Sequence, residues 1–328
     1  MSEPSARPRV VLLSSLAKLG REQLDPLKAA FELVERFDLD ATRDEVALVD
    51  GLEGAWAVVA GSETYTERVL SGLPQLQLIV RCGVGFDGID VPAATARRVA
   101  VATTPDANSD GVADLTLALM LACLRRIAVG DRYVRSGGWR LPGLCGDLTG
   151  ATVGVVGLGR VGRNVVRRLV GFGCQVLAYE PYPDVDFCAE HGVELAELDA
   201  LLPHVDVLSI HVPLTDETYR LLGARQLALL KPTAILVNTS RGSVLDEPAL
   251  VEALVAGRIA GAALDVYDHE PLDSTHPLAA LDNVVLSAHA ASFTRLSVAR
   301  MLASASASLF AAAAGELPLG CVNPEAWH

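Results

Sequence analysis

Lysine is nearly absent: Lys18, Lys28 and Lys231 are the only ones in 328 residues. None lies four residues after a tyrosine, which excludes the Tyr-xxx-Lys proton relay of short-chain reductases. Positive charge is scarce as a whole. The 27 Lys and Arg against 40 Asp and Glu leave a formal charge of −13, and so acidic a chain lacks the basic surface that covers nucleic-acid phosphates. The one basic stretch, Arg125 to Arg140, carries five arginines and one aspartate; it reads as a solvated helix end or a subunit contact. No two of the cysteines Cys82, Cys123, Cys145, Cys174, Cys188 and Cys321 stand close enough for a CxxC clip, which argues against a zinc ribbon or redox pair. With no Cys/His cluster either, no metal site is expected. Several of these thiols lie in apolar runs, as small buried side chains do, so a reducing, cytoplasmic compartment without disulfides is expected. No apolar run approaches the roughly 20 residues of a membrane helix; the longest suspicious one, Leu115 to Leu124, is about half of that. The start, Met1 to Arg9, is polar, and Val10–Leu13 is too short for the core of a signal peptide. Neither a membrane nor a nucleic acid is expected as partner.

What is present is apolar. Hydrophobic residues make up 51% and charged residues 20%, enough for large cores and too apolar for a disordered chain. The length suggests about two domains. Short β-rich runs alternate with helical stretches from end to end: Val10–Leu13, Ala55–Ala60, Leu78–Arg81 and Val99–Ala102, then a long helical stretch from about Asn108 to Ser136. A second series follows, with Thr152–Gly157, Gln175–Tyr179, Val205–Ile210, Ala234–Asn238, Gly261–Asp265 and Val284–Leu286. Near-continuous apolar strands alternating with helices mean parallel sheets covered on both faces, with right-handed crossovers. The expected class is α/β, with two doubly wound parallel-sheet domains. The second series is a complete six-strand set. The first lacks a closing element, which the Ala-rich helix from about Leu296 to Ala314 can supply. The domains are therefore expected at 1–101 with 292–328, and at 102–291.

The strongest local signal is Gly157-Leu-Gly159-Arg160-Val161-Gly162. It follows the strand Thr152–Val156 and opens a helix running to about Phe172. The first glycine permits the tight turn, the second lets backbone approach a pyrophosphate, and the third lets helix pack on strand. The helix N-terminus then offers free N–H groups and a positive dipole end. The next strand ends at Glu180, 18 residues after Gly162. An acid there accepts hydrogen bonds from ribose hydroxyls and repels a 2′-phosphate, which favours NAD over NADP.

Three further strands of the series end in polar segments: Asn238-Thr-Ser-Arg241-Gly, Asp265-Val-Tyr-Asp-His-Glu270-Pro, and Ser287-Ala-His289-Ala-Ala-Ser292. Taken singly, Arg241 fits an ordinary salt bridge, Glu270 a solvated loop acid and His289 a satisfied core histidine. Taken together they place an arginine, a carboxylate and a histidine at three successive strand ends, on the edge where ligands of such sheets bind. The trio suits hydride transfer to a 2-oxo acid. Arginine grips a carboxylate in bidentate fashion. Histidine passes a proton to and from the hydroxyl oxygen, and a carboxylate beside it favours the imidazolium.

These residues resemble the D-isomer-specific 2-hydroxyacid dehydrogenase family, and within it the short D-3-phosphoglycerate dehydrogenase-like members. Arg81-Cys-Gly83-Val84-Gly85-Phe-Asp87-Gly-Ile-Asp90 is similar to the family's substrate loop. His211-Val212-Pro213-Leu-Thr215, Asn238–Gly242 and Ala263–Pro271 are similar to its cofactor and active-site motifs. The resemblance implies a Rossmann-type NAD domain, a flavodoxin-like substrate domain and a homodimer with the long helix at its interface. It implies that Arg241 binds the substrate carboxylate, Glu270 supports the histidine and His289 is the acid/base. It further implies that Arg81 and the Gly83, Val84 and Gly85 backbone hold substrate, and that Arg160 and Val161 meet the pyrophosphate. Val212 and Pro213 then line the adenine side, Thr239 and Ser240 border the nicotinamide, and Asp265 bonds its carboxamide. The chain departs from the pattern with Glu180 for the usual aspartate, Gly88 for asparagine, and no proline before or glycine after His289. Gly61 and Glu63 stand where an arginine is usual in the phosphoglycerate enzymes, which weighs against 3-phosphoglycerate as substrate.

The expected activity is NAD-dependent interconversion of a small 2-oxo acid and its D-2-hydroxy acid. Two alternatives remain open at this point. One is a D-3-phosphoglycerate dehydrogenase proper. The other is an NAD(H)-sensing protein-binding module like the C-terminal-binding co-repressors, which resemble the family and keep the trio but carry long tails.

Overall fold

The computed structural model describes residues 7–327; the reading of the first six residues as part of a polar N-terminus lies outside them. Strands form where apolar runs are uninterrupted. In the first unit they are β1 (Arg9–Leu12), β2 (Glu32–Glu35), β3 (Ala57–Ala60), β4 (Leu78–Arg81) and β5 (Ala100–Ala102). In the second they are β6 (Thr152–Val156), β7 (Gln175–Tyr179), β8 (Val193–Leu195), β9 (Val207–Ile210), β10 (Ile235–Asn238), β11 (Gly261–Leu264) and β12 (Val284–Leu286). The units are Met1–Asn108 with Ser292–His328, and Ser109–Ala291.

Both sheets are parallel throughout. The smaller has the order β2-β1-β3-β4-β5, the doubly wound arrangement of flavodoxin-like folds. The larger runs β12-β11-β10-β9-β6-β7-β8. Read from β6 outward this is the Rossmann order, extended by β12. Side chains alternate between faces with period two. In the smaller sheet Val10, Leu12, Val59 and Val80 enter one core and Val11, Leu13, Val58 and Ile79 the other. In the larger, Leu208, Ile210 and Leu236 face one way and Val207, Val237 and Ala263 the opposite way.

Three elements differ from expectation, each for a physical reason. β2 and β8 go unread in the sequence because both are sheet edges. Glu32 and Glu35 leave β2 without an apolar run, and β8 is only three residues long. The larger sheet therefore has seven strands, not six. The long helical stretch is two helices, Ser109–Leu124 and Ile127–Arg135. Arg126 breaks it by adopting a left-handed φ of 52°, and its guanidinium donates to the Pro142 carbonyl at 2.6 Å.

Helix Arg295–Ala313 is the one described helix long and apolar enough to cross a membrane by length and composition. Its Val298, Met301, Leu302, Ala305 and Leu309 are instead buried in the smaller sheet's core, which accounts for its apolar character. The tail beyond it closes the β5 edge. Val322 N–H donates to Val101 at 2.8 Å, and the buried Asn323 carboxamide accepts from Val101 N–H at 2.7 Å. The Asn323 amide donates to Val99 O at 3.0 Å and to Thr95 Oγ1 at 2.8 Å. An open strand edge is thereby satisfied by one backbone amide and one side chain. Asn323→Leu strands a buried N–H and a buried carbonyl. It is expected to cost about 2–4 kcal/mol, seen as a lower urea midpoint; an unchanged midpoint would contradict this role.

Candidate active site

The glycine turn follows from the crossing of β6 and its helix. Gly157 sits at φ 97°, a conformation that only glycine adopts freely, and its N–H donates to Tyr179 O at 2.9 Å. Any side chain on Gly162 would overlap the Gly157 carbonyl, so helix Arg160–Leu169 packs on the turn only with glycine there. Gly159 is different. A side-chain carbon on it meets nothing within 4 Å, so the fold itself does not demand glycine. That open space lies at the helix N-terminus, where the N–H groups suit a pyrophosphate. Arg160 is exposed and Val161 half-buried beside it. Glu180 ties the turn from the next strand, its carboxylate accepting from Leu158 N–H at 2.8 Å and Tyr182 N–H at 3.0 Å. Val212 is buried and Pro213 exposed at the end of β9. Just before them, burial pushes the His211 imidazole down to about 3. It is therefore neutral, sharing a 2.8 Å bond between Nε2 and the Ser209 hydroxyl.

Arg241 is set by Asn238, which is fully buried at the end of β10. Its Oδ1 accepts from the Ser240 amide at 3.0 Å and hydroxyl at 2.9 Å, and its Nδ2 donates to Arg241 O at 2.8 Å. Gly242 then packs directly on the Tyr267–Asp268 backbone, with no room for a side chain. Thr239 is buried and shares a 2.9 Å hydroxyl bond with Thr116.

His289 Nδ1 lies 2.6 Å from Glu270 Oε2, with side chains 42% and 32% exposed. Glu270 Oε1 accepts from Tyr267 N–H at 3.1 Å. Burial alone would raise the Glu270 carboxyl. The His289 bond and charge, the Tyr267 amide and Arg241 outweigh it and hold the carboxyl below its usual range. A carboxylate on Nδ1 leaves Nε2 as the ring nitrogen that can exchange a proton with a ligand.

Asp265 is wholly buried, and both its oxygens are engaged. Oδ1 accepts from Ala290 N–H at 2.8 Å, Oδ2 from Ala291 N–H at 3.1 Å, and its carbonyl takes His289 N–H at 2.8 Å. His289 itself sits at φ 49°, a strained conformation for a non-glycine residue that surrounding bonds must hold.

Fourteen of the residues singled out in the sequence therefore lie on the second unit's carboxyl edge: Gly157, Gly159, Arg160, Val161, Gly162, Glu180, Val212, Pro213, Thr239, Ser240, Arg241, Asp265, Glu270 and His289. Arg81, Gly83, Val84 and Gly85 lie at the carboxyl end of β4 in the first unit. The sequence reading missed Tyr267, whose hydroxyl donates to Ser287 O at 2.6 Å and lies 3.1 Å from Leu264 O, and so ties the ends of β11 and β12. It also missed Glu247, which accepts from Asp268 N–H at 3.2 Å. The only signal for Tyr267 was an aromatic hydroxyl two residues after Asp265; Glu247 had none.

A family model described as "D-isomer specific 2-hydroxyacid dehydrogenase, NAD binding domain" matches residues 117–291. A glyoxylate reductase of Korarchaeum cryptofilum is 39% identical over 330 residues, covering 97% of each chain. A D-3-phosphoglycerate dehydrogenase of Archaeoglobus fulgidus is 43% identical over 241 residues, covering 73% of this chain and 46% of that protein. Among solved structures, an NADPH-dependent glyoxylate/hydroxypyruvate reductase of Sinorhizobium meliloti, in complex with NADP and malonate, superposes with a TM-score of 0.85. It is 30% identical and covers 98% of this chain and 99% of that one.

Proposed function

Since the chain belongs to the D-isomer-specific 2-hydroxyacid dehydrogenase family, we propose that it is an NAD-dependent D-2-hydroxyacid dehydrogenase that reduces a small 2-oxo acid, with glyoxylate the first candidate. The observation that carries this reading is the 2.6 Å His289–Glu270 pair at the strand ends that also bear Arg241. Relatives named glyoxylate reductase that match from end to end support the small substrate.

The bound dinucleotide supplies the hydride at nicotinamide C4. Gly157, Gly159 and Gly162 shape the turn that receives its pyrophosphate, with Arg160 and Val161 at the helix start. Val212 and Pro213 flank the adenine side, and Thr239, Ser240 and Asp265 the nicotinamide side. Glu180 selects NAD, since its carboxylate at the end of β7 repels a 2′-phosphate. Arg241 grips the substrate carboxylate through its planar fork and polarises the adjacent carbonyl. His289 donates the proton from Nε2 to the carbonyl oxygen in reduction and accepts it in oxidation, while Glu270 stabilises the imidazolium. Arg81 and the Gly83, Val84 and Gly85 backbone are assigned to the substrate as further donors.

The working form is a homodimer. On the arm of residues 127–144, Ile127 is 56% exposed, Val134 52%, Trp139 82% and Leu144 98%. Apolar groups so exposed on one short arm mark a covered surface. Sedimentation at twice the chain mass is expected, and a monomer at micromolar concentration would rule the dimer out.

The activity is tested by loss of NADH absorbance with glyoxylate, hydroxypyruvate, pyruvate and 3-phosphohydroxypyruvate, with NADPH in parallel. Turnover of a small 2-oxo acid with NADH preferred is expected, and His289→Ala should lower kcat about 10²–10⁴-fold. NADH binding without turnover of any acid would sink the reading.

A further inference from the structure

The carboxyl edge of the smaller sheet holds two carboxylates, Asp40 and Glu63, that the mechanism does not use. β3 and β4 pair with Ala60 opposite Arg81, so the chain leaves both strands side by side. The Gly61 N–H donates to both Glu63 oxygens, at 3.1 and 2.9 Å, and Glu63 is only 2% exposed. Asp40 accepts from Ser15 N–H at 2.8 Å and approaches the same glycine. A side-chain carbon on Gly61 would overlap Asp40 Oδ1 and stand 2.7 Å from Glu63 Oε1, so two carboxylates crowd one face of one glycine. Arg81 donates to the Cys82 carbonyl, and its guanidinium would stand 2.9 Å from a side-chain carbon on Gly83. Tyr65 is fully buried, and its hydroxyl lies against Glu63 without a well-formed hydrogen bond. Its backbone pins the far end of the loop: Tyr65 N–H donates to Gly88 O at 2.8 Å and Asp90 N–H to Tyr65 O at 2.9 Å.

The charges fall on one side of the balance. Arg81 contributes one positive charge against the carboxyls of Asp40 and Glu63. Burial pushes Glu63 up to about 7, with Asp40 raising it further and Arg81 and backbone N–H groups opposing. Beside Glu63 burial raises Tyr65 well above its usual value and pushes the Cys82 thiol up to about 12, so both stay neutral; the exposed Arg43 holds the loop from outside, donating to Ser62 O at 2.6 Å and Thr64 Oγ1 at 2.9 Å. The group of Asp40, Glu63 and Arg81 therefore gains one negative charge as pH rises through about 7 and Glu63 loses its proton.

We propose that Glu63 and Asp40 are specificity-determining residues: they cancel Arg81 at the root of the Gly83–Gly85 loop, so the site takes a 2-oxo or 2-hydroxy acid with an uncharged side chain and disfavours one carrying a second anion, such as a phosphate or sulfonate. This rests on the reading that the loop amides face the substrate. The cause is Coulombic. An anion near Arg81 also meets the two carboxylates, and in a poorly screened setting their repulsion offsets its attraction. Asp40 and Glu63 are positioning groups for charge; neither need touch the substrate.

The test is calorimetry of the full chain saturated with NADH, a pairing in which a hydroxy acid cannot react. The probes are D-glycerate and 3-sulfolactate, both of constant charge between about pH 6 and about pH 8.5. At the higher pH the wild type is expected to bind glycerate more than tenfold more tightly than sulfolactate. Glu63→Gln and Asp40→Asn should each narrow that ratio several-fold, whereas a merely structural role would weaken both acids alike. The wild type supplies a readout that needs no variant: its ratio should narrow on acidification as Glu63 takes up a proton. A ratio insensitive to pH and to whichever variant folds overturns the proposal, as does wild-type protein that binds neither acid. Binding that follows the pattern without turnover of any 2-oxo acid would fault the proposed activity and leave this specificity standing.

Discussion

The position of His289 depends on one buried carboxylate. Asp265 takes the amides of Ala290 and Ala291 on its two oxygens and the amide of His289 on its carbonyl. Three bonds from one residue hold a histidine at φ 49°, which an isolated chain would rarely adopt. With the backbone so held, Nδ1 meets Glu270 and Nε2 is left for chemistry. Glu270 is fixed in turn by the Tyr267 amide, and the Tyr267 hydroxyl joins the carbonyls of Leu264 and Ser287. The His289–Glu270 pair is thus an extension of the β11–β12 pairing. Asp265, which the resemblance assigns to the nicotinamide carboxamide, thus also carries the backbone turn at His289.

The architecture explains why these groups share one edge. In a parallel sheet every strand ends on the same side, and β6, β7, β9, β10, β11 and β12 each deliver a polar segment there. The apolar alternation behind them binds the sheet into two cores, so a strand end cannot shift without moving buried valines and leucines. The site is held by the same burial that makes the fold.

Much of this was legible in the chain. Uninterrupted apolar runs marked the central strands, and the glycine spacing marked the turn because Gly162 has no room for a side chain. Arg241, Glu270 and His289 were legible because each closes such a run. The edge strands β2 and β8 were not, since glutamates and brevity conceal them. Nor were the Asp265 bonds or the Glu63 cluster. Asp265 reaches residues 25 and 26 positions away, and Asp40 and Glu63 meet only through the pairing of strands around Gly61. Sequence spacing records contacts along a strand or helix; these contacts cross between elements, where no periodicity announces them.

The account stands most directly on the claim that Glu270 sustains the proton that His289 delivers. The decisive measurement is the pH profile of kcat/KM for 2-oxo acid reduction, compared between wild type and Glu270→Gln. Reduction needs the protonated imidazole, so the rate falls on the alkaline side, and removing the carboxylate removes what favours the charged ring. The account predicts that the alkaline limb of Glu270→Gln moves to lower pH, the counterpart of the hold that His289 has on the Glu270 carboxyl. A limb that stays in place, with only its height reduced, would contradict it.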